Sequence, residues 1–322
     1  MKILGWLFCA LIAFPTAAQE AYPSRPVKIL VPYGPGGATD IIARIVAARL
    51  TESLGQSFVV ENRPGANGNI ALEAAAKAAP DGYTLLVGNV STNAINETIY
   101  EKQLTIRPSR DLVAITKLVE IPHIVVASAA LPAGNIAELI ALAKRQPGKI
   151  NFASVGLGSY PHLDMEKFMK ASGTEFTHVP YKGGAGQAIP AMVGGEVQLA
   201  FFNMASLLPH IRSGRLKALA AIPTQRIPEL PNVPTLAEQG FPGIGTNAWQ
   251  GMFAPAATPK PVVDKLYGAV AAVLGRSEQR EALAKQMMSV ELSKSPTEFT
   301  ELVRKETADW GEFLRGARIK LD

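Results

Sequence analysis

Cysteine is all but missing. The one in the 322 residues is Cys9, inside the apolar stretch Ile3 to Phe14, which follows Lys2 and precedes the small-residue run Thr16-Ala17-Ala18. This pattern predicts a Sec signal peptide over residues 1–18. "WLFC" lacks the small residue that a lipoprotein leader places before its cysteine. The exported chain should therefore hold no thiol, which excludes disulfides and leaves core burial alone to stabilise it. Long apolar runs are lacking as well: Ile3 to Phe14 is too short to span a bilayer, and no later stretch is long enough. Runs of like charge are also absent. The 32 Lys+Arg against 27 Asp+Glu give a net charge of +5, one less without Lys2, and the basic residues are scattered. Anionic small ligands are expected, and no nucleic acid. The four histidines have no H-E-x-x-H or C-x-x-C spacing, so no metal site is expected.

What is present is a strand, a glycine turn and a helix, repeated. Val27 to Tyr33 is β-rich and leads into a helix from about Asp40 that places Ile42, Ile45, Val46 and Leu50 on one face and stops at Gly55. Phe58 to Glu61, the turn "NRPGANG" and a helix over Ile70 to Ala79 follow. Tyr83 to Val87 is a third strand ending in the small polar loop "GNVSTN", and Leu112 to Val119 a fourth. The same grammar restarts at Ile150 to Ser154. "VGLGSYPH" leads into a helix to about Ala171, then Phe176 to Tyr181, "KGGAGQ", Val197 to Phe202 with "NMAS", and Leu216 to Ile222. Alternating βα units predict parallel sheets, and two such halves predict two α/β lobes facing each other across a cleft. Lobe crossings fit at Glu120 to His123 and within "GFPGIGTNAW". Lobe 1 is then 22–121 with 247–322, and lobe 2 is 122–246. From Pro261 the chain reads as helical: Val262, Leu266, Val270 and Val273 share a face, then Leu283 to Met288 and the capping-box-like "SPTE" open two more.

Three chemistries fit the first turn, "LVPYGPGGATDII". Gly34-x-Gly36-x-x-Thr39 after a strand, with Glu61 ending the next, imitates a dinucleotide site. Thr39 replaces the third small glycine, however, and export leads away from nicotinamide cofactors, so no cofactor is expected. A hydrolase would use Ser159 and His162. "GLGSYPH" lacks the G-x-S-x-G elbow, and Asp164 on the same helix points away from His162. An anion cradle fits best: glycines admit close backbone approach, while the first helical N–H groups lack intrahelical partners and carry the positive end of the dipole. "YGPGGATD" and "VGLGSYPH" hold equivalent places in the two halves. Two matched cradles suit a small carboxylate.

The runs "YPSRPVKILVPYGPGGATDIIAR", "VENRPGANGNIA", "NFASVGLGSYPHL", "HVPYKGGAGQAIPAMVGGEVQLAF" and "LPNVPTLAEQG", in this order, resemble the Bug family. These are the TctC-like extracytoplasmic solute-binding proteins of tripartite tricarboxylate transporters. The resemblance covers essentially the whole mature chain. It implies a type II periplasmic-binding-protein fold and a periplasmic monomer whose lobes close about a hinge. It also implies that a small carboxylate is held by backbone amides and delivered to a membrane permease, without enzymatic turnover; a sensor lacking its own permease is the other role it leaves open. Carried over by position, the first cradle is Tyr33, Pro35, Gly36, Gly37, Thr39 and Asp40, with Ser91, Thr92 and Asn93. The second is Ser154, Gly156, Gly158, Ser159 and His162, with Tyr181 and Asn203. Asp40 and Ser159 also read as helix caps. Phe202 stands where many relatives resemble one another in carrying Asp. If it faces the cleft, it favours acids with an apolar body over amino acids; if strand alternation turns Phe201 to the cleft instead, it is core.

Overall fold

The structure, a computed structural model, describes residues 22–246 and 248–317. The leader assigned above, with Cys9, lies outside the described residues. The first half comprises β1 (Val27–Val31), α1 (Ala38–Leu54), β2 (Phe58–Asn62), α2 (Asn69–Ala76), β3 (Thr84–Asn89), α3 (Asn96–Ile99), α4 (Pro108–Asp111) and β4 (Leu112–Ile121). The second comprises β5 (His123–Ser128), α5 (Ile136–Arg145), β6 (Asn151–Ser154), α6 (Tyr160–Ser172), β7 (Thr177–Pro180), α7 (Ala185–Val193), β8 (Leu199–Asn203), α8 (Met204–Arg212) and β9 (Leu216–Ala221). β10 (Ala248–Pro255), α9 (Lys260–Leu274), α10 (Ser277–Ala284), β11 (Ser289–Val290) and α11 (Pro296–Ala317) complete it.

Two sheets form, in the orders β11-β4-β10-β3-β1-β2 and β7-β6-β8-β5-β9, giving the two-lobed α/β fold expected. Each lobe has apolar layers on both faces of its sheet. Both sheets are mixed, however, where repeated βα units predict parallel ones. β10 runs antiparallel between β3 and β4, and β5 antiparallel between β8 and β9. These strands are "AWQGMFAP" and "HIVVAS", apolar runs that follow the crossings directly and so carry none of the βα signal. The four βα strands of each half keep one direction, and the strand arriving from the other lobe is slotted between the third and the fourth. Around the turns, α1 buries Ile42, Val46 and Leu50 as a stripe and stops at Gly55, whose φ of 70° suits glycine. At the C-terminal end α10 stops at Ala284, short of the helix expected to Met288, because Met287 at φ 63° turns the chain into β11.

Candidate functional site

In lobe 1 the turn after β1 is braced by one buried carboxylate. Asp40 accepts from the Gly36 N–H (3.0 Å), the Arg44 Nε (3.0 Å) and the Asn62 Nδ2 (2.9 Å), while the same Asn62 amide reaches the Tyr33 carbonyl at 2.9 Å. Burial alone would raise the Asp40 carboxyl, but the hydrogen bonds from Arg44, Gly36 and Asn62 together hold it below the usual carboxylate range. Asp40 thus fastens the loop instead of capping the helix, whose N-cap is Gly37. Glu61 is engaged by Lys28 and Arg63, which removes it as a ribose acceptor.

The second loop repeats this construction. Gly158 at φ 73° donates its N–H to His162 Nδ1 at 3.0 Å, the same four-residue reach as Gly36 to Asp40. With Nδ1 accepting, the proton of a neutral His162 sits on Nε2, 3.5 Å from Glu166. The His162 ring stacks on His178 (4.0 Å between centroids), which stacks on Phe152 at 4.8 Å. Desolvation, with His162 beside it, takes His178 down to about 3, so it is neutral near pH 7. Its Nε2 lies 2.6 Å from Ser154 Oγ. Ser159 occupies the N-cap position but donates backwards to the Gly156 carbonyl at 2.7 Å, making no side-chain cap. Asp164 accepts the N–H and hydroxyl of Thr246 at 2.9 and 2.8 Å. Ser159, His162 and Asp164 are therefore all bonded to other groups and form no triad.

The loop after the third strand is not a loop. β3 runs on to Asn89, and the chain enters a wide helical turn, Ser91–Ile95, directly. Asn89 Oδ1 receives the N–H groups of Ser91 (2.9 Å) and Thr92 (3.3 Å) and the Tyr33 hydroxyl (3.4 Å). Thr92 Oγ1 in turn donates to Asn93 Oδ1 at 2.6 Å, and Asn93 folds back over Gly88. Four helical segments, starting at Ala38, Ser91, Tyr160 and Met204, thus begin just beyond the C-terminal ends of β1, β3, β6 and β8.

The lobes meet there. Gly34 N–H donates to the Gly183 carbonyl (3.0 Å), Tyr160 N–H to Ser91 Oγ (3.0 Å), and the Tyr100 hydroxyl to the Leu157 carbonyl (2.7 Å). Tyr33 crosses into the lobe 2 cluster that holds Ile124, Val126, Ala200 and Phe202. Phe202 lies in this core against α7 and α8, while Phe201 points to the opposite layer with Phe168. Asn203 accepts the Tyr160 hydroxyl at 3.2 Å, and His123 Nε2 is 2.9 Å from the same oxygen. Burial drives His123 down to about 3. Tyr181 is half-buried at the rim of the same cluster.

Several seam residues escaped the sequence reading: Asn67, Ile99, Tyr100, Tyr160, Gly183 and Gly186. The signal available was the glycine spacing of "KGGAG" and "NRPGANG", whose turns lie at this interface. A Cβ on Gly156 would meet Asn67, on Gly158 it would meet Ile99 Cδ1 at 2.6 Å, and on Gly186 it would overlap the Pro35 carbonyl oxygen. Gly158→Val should therefore weaken ligand binding at least tenfold. It also forces a β-branched residue to positive φ, at a cost of about 1–3 kcal/mol. Calorimetric titration and thermal unfolding separate the two effects, and parental affinity would mark Gly158 as a mere turn former.

Of the cations nearest the cleft, Arg44 is bound to Asp40 and Arg63 to Glu61, while Lys182 is exposed in the turn before Gly183 and has no ion-pair partner among the described residues. What else lines the cleft is backbone N–H groups and neutral side chains.

The sequence profile of the tripartite tricarboxylate transporter family receptors, TctC, matches residues 42–318. Protein BugT of Bordetella pertussis is 36% identical over 323 residues, covering 99% of this chain and 98% of that protein. Among solved structures, MatC from Rhodopseudomonas palustris with bound malate is 33% identical. It superposes with a TM-score of 0.85 over 90% of this chain and 99% of that one. An R. palustris protein with adipate is 34% identical with a TM-score of 0.87, over 91% and 97% of the two chains. The periplasmic binding protein BugD is 32% identical with a TM-score of 0.85, over 93% and 99%. With relatives that align end to end and a profile that spans most of its length, this chain belongs to the TctC/Bug family of solute-binding receptors, which are not enzymes.

Proposed function

We propose that this chain is a periplasmic receptor that captures a small carboxylate between its lobes and delivers it to the permease of a tripartite transporter. The observation that carries this reading is the set of four helical N-termini at the cleft, on strand ends of both lobes, beside which Arg44 and Arg63 are already paired with carboxylates. Aligned helix dipoles, with those first-turn N–H groups that Asn89, Ser91 and the Pro122 carbonyl do not already engage, stabilise a carboxylate without a lysine or arginine. The malate and adipate in the two R. palustris proteins point the same way. Neither aspartate beside the cleft is free to take an α-ammonium: Asp40 is engaged by Gly36, Arg44 and Asn62, and the buried Asp164 by Thr246. The preferred acid is therefore one without an amino group. The cleft takes its ligand as a monomer, by swinging of the lobes about the segments on either side of Pro122 and Thr246.

A thermal-shift screen of mono-, di- and tricarboxylates tests this. A bound acid at a hundredfold excess over its Kd should raise the melting temperature by roughly 5 °C or more. Mass spectrometry should recover it chemically unchanged. No shift with any carboxylate, or a clear preference for aspartate or glutamate, would overturn the reading.

A further inference from the structure

Gln250 is where the pairing of β10 with β3 begins, opposite Asn89, and is completely buried. Its Oε1 accepts the hydroxyl of Thr39 at 2.7 Å. Its Nε2, equally buried, has no hydrogen-bond partner among the described residues. The neighbouring Asn89 does not relieve it, since its Oδ1 already serves Ser91, Thr92 and Tyr33. A buried carboxamide with both hydrogens unpaired is costly, and native interiors seldom leave one so. Its place explains it. Thr39 belongs to the first turn of α1, where the N–H groups have no acceptor within the helix. Gln250 and Thr39 therefore put a fixed N–H donor beside a helical N-terminus at the strand ends of lobe 1.

We propose that Gln250 is a ligand-contacting specificity residue, whose Nε2 donates to the carboxylate received by the α1 N-terminus; this rests on the carboxylate-receptor reading above. Thr39 is the positioning residue. By donating to Oε1, it keeps the amide from presenting its carbonyl, so the site offers hydrogens only. That selects an acceptor oxygen and rejects an ammonium or a neutral amide donor. Because β10 is the first strand after the chain returns from lobe 2, the same contact ties the ligand to the crossing about which the lobes would swing.

Calorimetric titration with malate, adipate, succinate and benzoate tests the assignment on the full mature chain. Gln250→Met keeps the shape but removes the donor, and should bind the parent's best acid at least tenfold more weakly. Gln250→Glu keeps the bond from Thr39 but sets a carboxylate against the ligand, and should bind at least a hundredfold more weakly at pH 8. At pH 5 part of that loss should return, because a protonated carboxyl again donates an O–H; a merely structural role would not move with pH in this way. Thermal unfolding of each variant checks that it is folded. If both variants bind the parent's acid within threefold of the parent, Gln250 does not touch the ligand while the carboxylate-receptor reading stands. If the folded parent binds none of the acids, that reading fails and this assignment falls with it.

Discussion

Gly186→Ala should weaken ligand binding at least tenfold while leaving the melting temperature of the free protein unchanged or slightly raised. Gly186 lies in the first turn of α7, where alanine is a better helix former than glycine, so lobe 2 loses nothing by the change. The added methyl meets only the opposite lobe, at the carbonyl of Pro35. Overpacking of this kind costs about 1–3 kcal/mol, which is roughly ten- to a hundredfold in Kd. To avoid the overlap the lobes must part, and the nearby bond from Gly34 to Gly183 goes with them. Small-angle scattering of the variant at saturating ligand should report a larger radius than that of the parent. Unchanged affinity and radius would show that the α7 seam has no part in holding the cleft shut.

The second large effect concerns pH. Asp164 is fully buried, and desolvation raises its carboxyl from 3.8 to about 6, against the nearby Lys167 and the two bonds from Thr246. In the unfolded chain it ionises near its ordinary value. Its folded form is therefore penalised above pH 6, and the penalty is relieved as pH falls from about 6 towards 4, by about 3 kcal/mol in total. The buried His123 and the half-buried His178 act in the opposite sense. Both stay neutral in the fold down to about 3, so each withdraws stability as pH falls below 6.5. Asp164→Asn removes one side of this balance. Urea titrations at pH 8 and pH 4 should show the parent gaining about 3 kcal/mol on the variant between the two. A gap that stays constant within about 1 kcal/mol would mean that Asp164 is ionised throughout.

The duplicated halves were legible because βα units write themselves twice, once as an apolar run and once as a glycine turn. Val27, Phe58 and Thr84, with Asn151, Thr177 and Leu199, begin strands close to where the runs place them. β5 and β10 were not legible, since an apolar strand without a following turn and helix resembles any buried segment. At the site, the matched spacing of Gly36 and Gly158 showed through, and so did Asp40 and His162 at the same offset. Asn67, Tyr100 and Gly186 did not, because what they meet lies on the other lobe, far away in sequence. Gln250 was hidden for the same reason: its role depends on Thr39, brought to it only by the return of β10. The capping role expected of Ser159 failed because the Gly156 carbonyl, left by the positive φ of the glycine turn, lies closer to its hydroxyl.

The slotting of β10 between β3 and β4 also sets the order in which the molecule can be completed as it is made. Lobe 2 draws all of its strands from one stretch, His123 to Ala221, and can close its sheet as soon as that stretch is free to fold. Lobe 1 contains the strands made first, yet β4 pairs only with β10 and β11, and β3 keeps a bare edge until β10 arrives. The N-terminal lobe is thus the last to finish. Through that interval two of its apolar strands have unpaired edges, the state most open to wrong partners and to capture by a chaperone.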